Sequence, residues 1–152
     1  MRSDQLARFK LFEALTDPQL ATMAKLFTDQ ELPAGTPIFK EGDRGDQLYL
    51  IGKGTVRITQ RLGSSAEEAL AFLKEGNYFG DMSLIDARPR SADAIAETDV
   101  VLHRVGRSEF LLLMRVDPEI ALSVLFQFIR TLTARLRDNN EKVRALNMMS
   151  MW

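Results

Sequence analysis

The sequence predicts an α+β, mainly β fold: an antiparallel β-barrel or jelly roll (a double-stranded β-helix) with helices at both ends. Three observations predict it. Apolar residues recur at three- and four-residue steps from Leu6 to Phe27. Between residues 28 and 105 the chain breaks into short β-rich runs separated by glycine turns. After Gly106 the helical period returns and continues to about residue 147.

In chain order, Leu6, Phe9, Phe12, Leu15, Leu20, Met23, Ala24 and Phe27 give two short helices. The restart falls at Leu15-Thr16-Asp17-Pro18, where Thr16 or Asp17 can cap and Pro18 suits a first helical turn. Pro33-Ala34-Gly35-Thr36-Pro37 and Glu41-Gly42-Asp43-Arg44-Gly45-Asp46 are turn clusters. Strands are expected at Pro37 to Lys40, Leu48 to Ile51 and Thr55 to Gln60. Gly63-Ser64-Ser65 reads as a hairpin tip, with Ala69 to Leu73 as the return strand. Ala92 to Ala96 and Val100 to Val105 are two more strands. Phe110, Leu111 and Met114 then share one face of a short helix. Asp117-Pro118 starts a long helix of roughly 29 residues, or about 44 Å at 1.5 Å per residue. The whole is expected to form one domain over 1–152, with N-terminal helices at 6–27, the barrel at 28–105 and C-terminal helices at 106–147.

Composition narrows the function. The chain has 152 residues, 45% hydrophobic and 27% charged, as expected of a folded globular chain. Its net charge of -1 carries no basic signature for nucleic acid. There is no cysteine, which excludes disulfides and thiolate chemistry. The single histidine, His103, lies in a predicted strand and reads as structural. No nucleophile–base pair, metal cluster or Walker loop is visible, so an enzyme is not expected. The N-terminus lacks the apolar core of a signal peptide, and no stretch approaches the ~20 apolar residues of a membrane span. A cytoplasmic location, with no membrane partner, is the expectation.

The informative stretch runs from Tyr78 to Ala92, between two predicted strands. Gly80 permits a tight turn and a close approach to a ligand. Asp81 to Ile85 can form about one helical turn, whose first main-chain N–H groups suit a phosphate. Pro89 sets up an extended approach. Arg90 has a planar fork of donors that matches phosphate oxygens two at a time. Ser91 adds a hydroxyl, and Asp81 can accept hydrogen bonds from sugar hydroxyls. A nucleotide with one phosphate charge and a free ribose hydroxyl needs this inventory. The same pattern also fits plain scaffolding on a barrel rim.

Phe79-Gly80-Asp81 and Pro89-Arg90-Ser91-Ala92 resemble the phosphate-binding cassette of the cyclic-nucleotide-binding domain family. That family's pattern is Phe-Gly-Glu, a short apolar helix, then Pro-Arg-(Ala/Ser/Thr)-Ala. Gly35 to Phe39, Glu41-Gly42-Asp43, Gly45 to Ile51 and Gly54-Thr55-Val56 resemble the family's barrel segments. The resemblance implies that Arg90 neutralises a cyclic phosphate, with Ser91 and the main chain at Met82 and Ser83 completing the cradle. Asp81 stands where the family has a glutamate that bonds the ribose, and it is one methylene shorter. Ile58, Leu70 and Leu73 would line the pocket for the base, a role these residues share with plain core packing. Serine after the arginine leans toward cyclic AMP rather than cyclic GMP.

On the long helix, Ile129, Leu136 and Val143 recur every seven residues, interleaved with Leu125, Leu132 and Leu146. This is an a/d seam, with Asn139 at a d position, and it favours a parallel homodimer. The alternative packs the helix on its own barrel, which is expected of its first half. Leu136 to Val143 also resembles the dimer helix of the family's catabolite activator, which implies that Asn139 and Asn140 meet the base, one subunit reaching into the other's pocket. Arg130, Arg135, Arg137 and Arg144 read as a solvated face. The favoured function is a cyclic-nucleotide sensor that acts through dimer geometry or an effector protein. Two others stay open. One is the sensor half of a transcription factor; nothing after Trp152 would read DNA in this chain alone. The other is a degenerate domain that binds another nucleotide or none and serves protein interaction.

Overall fold

The computed structural model describes residues 1–62 and 66–149, without the side chains of 61–69 and 149. The expected hairpin tip at Gly63-Ser64-Ser65 lies outside the described residues. The N-terminal segment holds α1 (Ser3–Leu6), a 3₁₀ turn (Lys10–Phe12) and α2 (Asp17–Ala24). Two helices were expected there, and the first is broken. Leu6, Phe9, Leu11, Phe12 and Leu15 are all buried, more than one stripe of a single helix can turn inward. The chain breaks at Phe9, which is extended (φ -87°, ψ 123°). The restart at Thr16-Asp17-Pro18 is as expected, and the Thr16 amide donates to Gln19 Oε1 at 2.9 Å.

Eight strands follow among the described residues. One antiparallel sheet has the order β1 (Thr28–Leu32), β8 (Val100–Gly106), β3 (Gln47–Lys53), β6 (Tyr78–Phe79). The other runs β2 (Pro37–Phe39), β7 (Asp93–Ala96), β4 (Thr55–Leu62), β5 (Ala66–Lys74). The fold is therefore a jelly-roll sandwich of two open sheets, and the barrel reading is only approximate. β1 and β6 carry no sequence signal of their own. β1 is TDQEL, polar throughout until its last residue, and it exists because all five residues pair with β8.

β3 explains how the layers are joined. Its continuous run Leu48-Tyr49-Leu50-Ile51 is buried on both faces, as a strand between two apolar layers requires. Leu48 and Leu50 meet Phe12, Met23, Phe110, Ile120, Val124 and Phe128 of the helices. Tyr49 and Ile51 join the second cluster, with Phe79 and Leu102 of their own sheet and Val56 and Ala94 of the other.

α3 (Asp81–Asp86) lies between β6 and β7, and α4 (Arg107–Val116) leads to α5 (Pro118–Met149). Asp117 caps α5 by accepting from the amides of Glu119 and Ile120, both at 3.1 Å. The first half of α5 buries Ile120, Val124 and Phe128, while its last turns stand free of the core. Among the described residues no helix is long and apolar enough to cross a membrane.

Candidate functional site

The site is assembled from two turns and a glycine. Gly80 has φ +86°, and a Cβ there would sit 2.7 Å from both Arg90 Nη1 and the Gln47 carbonyl oxygen. Only glycine lets the chain pass so close to the guanidinium while turning into α3. The Arg90 main chain is clamped by the turn at 42–43: its amide donates to the Asp43 carbonyl at 2.8 Å, and its own carbonyl accepts from Gly42 at 2.9 Å. The far end of α3 is held by Arg107, whose Nε donates to the Leu84 carbonyl at 2.9 Å.

Arg90 is only 4% exposed. Its guanidinium donates to the Gly80 carbonyl at 3.1 Å and the Gln47 carbonyl at 2.7 Å. The carbon of the guanidinium lies 4.2 Å from the Phe39 ring centroid, and Phe39, Tyr49 and Phe79 pack around one another. Burial pulls its pKa below the usual arginine value, opposed by Tyr49 and the carboxylates of Asp46, Asp43 and Asp81. Its Nε is buried and donates to no protein acceptor. A buried unpaired donor on a cation is costly, and this one belongs to a residue on the wall of a cavity.

That cavity, about 540 Å³, is lined by Gly80, Asp81, Met82, Ser83, Arg90 and Ser91 at one end and by Ile58, Leu70 and Leu73 along the side. Asn139 closes it from α5. The structure thus brings together ten of the eleven residues singled out from the sequence. Asn140, one step further round the helix, does not line it. Three α5 residues that sequence reasoning passed over do: Arg135, Asp138 and Lys142. Among the charged side chains of the lining, Arg90, Arg135 and Lys142 face Asp81 and Asp138, leaving one positive charge in excess.

Arg135 is exposed, as the solvated-face reading expected, but it is also paired. Its Nη1 donates to both oxygens of the buried Asp81 carboxylate, at 3.1 and 3.4 Å, and its guanidinium lies 5.7 Å from the Tyr78 ring centroid. Asp81, the shorter stand-in for glutamate, is therefore engaged by α5. At the rim, the Ser91 hydroxyl rests on the Met82 sulfur at 3.9 Å. His103 stands away from the cavity, 2.7 Å from Asp29 Oδ1. No group of three metal-ligating side chains exists among the described residues.

Residues 29–117 match the family model of the cyclic nucleotide-binding domain. The chain is 38% identical over 111 residues to the cyclic AMP receptor protein of Thermus thermophilus, covering 73% of this chain and 51% of that one. It is 34% identical over 105 residues to the cAMP-dependent protein kinase regulatory subunit of Emericella nidulans, covering 69% and 25%. The crystal structure of the Thermus thermophilus catabolite activator protein superposes with a TM-score of 0.80 at 34% identity, covering 90% of this chain and 62% of that one. The chain spans about half the length of the first relative and a quarter of the second. With a jelly roll, the cassette between β6 and β7 and the match over 29–117, the chain belongs to the cyclic nucleotide-binding domain family.

Proposed function

We propose that the cavity binds a cyclic mononucleotide, cyclic AMP in preference to cyclic GMP, as a regulatory signal. The observation that carries this reading is the buried guanidinium-bearing Arg90 on the wall of the cavity, across from the first turn of α3. A cyclic phosphate meets the Arg90 cation, and the first amides of α3 have no intrahelical partner to compete for it. The single excess positive charge of the lining suits the single charge of a cyclic phosphate diester. Ser91 and the main chain at Met82 and Ser83 complete the cradle. Asp81 takes the ribose hydroxyl, directly or through a bridging water. Ile58, Leu70 and Leu73 pack on the base.

Two further parts of this reading concern α5. Its seam residues Leu125, Ile129, Leu132, Leu136, Val143 and Leu146 are all exposed, which supports a parallel homodimer. Asn139 then meets the base in its own subunit. Asn140, which faces away from the cavity, reaches that of the partner subunit. Occupancy and dimer geometry would thereby be linked, each strengthening the other.

Calorimetric titration with cyclic AMP and cyclic GMP tests the site. Binding is expected at about micromolar or tighter, and Arg90→Leu is expected to cost roughly 2–5 kcal/mol, at least ~10-fold in affinity. Unchanged affinity in that variant removes Arg90 from the site. A second reading, the sensor half of a larger regulator, is favoured by the relatives' greater length. The extent of the natural reading frame decides it.

A further inference from the structure

Tyr78 immediately precedes Phe79-Gly80-Asp81 in β6, so its main chain is continuous with the cassette. Its side chain is turned the other way, under α5. The ring meets Phe128 edge-on, with centroids 5.5 Å apart and planes at 83°. The Arg135 guanidinium lies over the same ring. Tyr78 thus touches both the docked half of α5, at Phe128, and the half that lines the cavity, at Arg135.

Its hydroxyl is buried and meets no protein partner in full hydrogen-bond geometry. Thr131, Asp81 and Arg135 are the polar groups close enough to influence it: Thr131 acts on the phenol as a hydrogen-bonding neighbour without meeting the geometry of a full bond, and Arg135 is committed to Asp81. Burial raises the pKa of the phenol, so it stays neutral and keeps both a donor and a lone pair. A buried hydroxyl without a partner destabilises the arrangement that holds it, and an arrangement that supplies one is favoured to the same extent.

The geometry points to Tyr78 as the positioning residue that transmits occupancy of the cavity to α5: when a nucleotide's ribose claims Asp81, the released Arg135 guanidinium donates to the Tyr78 hydroxyl. This rests on the nucleotide reading above. One buried orphan and one ion pair are exchanged for a ribose–carboxylate bond and a charged hydrogen bond. The two states differ in their contacts with the ligand, as any ligand-driven shift requires.

The test is a double-mutant cycle with Tyr78→Phe and Arg135→Gln, read by cyclic AMP titration and by urea melts of the ligand-free protein. Tyr78→Phe is expected to weaken binding by about tenfold, the scale of one hydrogen bond from a charged donor. The ligand-free urea midpoint should stay the same or rise, because the orphan is gone. In the Arg135→Gln background the same substitution should change affinity less than twofold. Equal affinity of Tyr78→Phe and wild type overturns the inference. So does a fall in the ligand-free midpoint that accounts for the lost affinity, which would make Tyr78 merely structural. Full additivity of the two substitutions overturns it as well. Failure of the wild-type chain to bind either cyclic nucleotide is a different result: it overturns the nucleotide reading, and this inference with it.

Discussion

At the scale of single residues, Gly42 and Gly80 separate two reasons for a glycine. Both have φ +86°, a conformation that L side chains rarely adopt. An added Cβ at Gly42 meets nothing within 4 Å, whereas at Gly80 it meets Arg90 Nη1 and the Gln47 carbonyl at 2.7 Å. Gly42→Ala therefore carries only the left-handed backbone penalty, about 1–2 kcal/mol. Gly80→Ala adds the displacement of a buried guanidinium from two carbonyl acceptors, bringing the expected loss to about 3 kcal/mol or more. Urea unfolding of the two variants checks this, and equal losses would mean that Arg90 yields without resistance. The same residues mark what a sequence reveals. Gly80, Arg90 and Ser91 were readable because a turn glycine and a fork of donors have meaning in isolation. Arg90's inward packing on Phe39 and its bonds to Gln47 were not, because those partners lie some forty to fifty positions upstream. Arg135 was missed for a related reason: on a helix with acids and bases all round, nothing local distinguishes the one arginine that faces a buried carboxylate.

At the scale of elements, periodicity gave the strands with apolar alternation and both terminal helical regions, but not β1. Its five residues pair in full with β8, so tertiary pairing created a strand that composition hides. Within that pair Asp29 stands directly opposite His103, with Nδ1 2.7 Å from the carboxylate. Burial works to raise the Asp29 pKa, yet the hydrogen bond and charge of His103 and the nearby N-terminal ammonium bring it below the usual value. The sign follows. A carboxyl with a lowered folded-state pKa adds stability above its unfolded pKa of about 3.9 and loses it as pH falls through the folded value. Asp29 is 52% exposed, so solvent screening limits the effect to about 1 kcal/mol or less. Asp29→Asn should thus lower the urea midpoint slightly above about pH 5, with the two curves converging as the pH approaches 2. A constant offset at all pH values would mean that the side chain acts by shape rather than charge.

At the scale of the whole molecule, α5 joins the core, the cavity and an apolar stripe that the chain alone leaves uncovered. Ile120, Val124 and Phe128 fix its first half to the helical core. Arg135, Asp138, Asn139 and Lys142 carry it along the cavity. Leu136 is 61% exposed, Val143 53% and Leu146 66%, and seven-residue repetition at these positions suits a facing copy of the same helix. Such a contact predicts a separation of effects. Leu136→Glu replaces a mostly exposed side chain, so the intrinsic fold should change by no more than about 0.5 kcal/mol. The dimer should nevertheless fail, because a charge at a seam position must lose its water. Sedimentation equilibrium at micromolar concentration is expected to give a dimer for wild type and a monomer for the variant. If Asn140 reaches the neighbouring cavity, the monomeric variant also binds cyclic AMP more weakly, while Asn140→Ala has little further effect in it. A Leu136→Glu protein that stays dimeric would assign the stripe to some other partner. A monomer with undiminished affinity would confine the whole binding site to one chain, with Asn139 as its sole asparagine from α5.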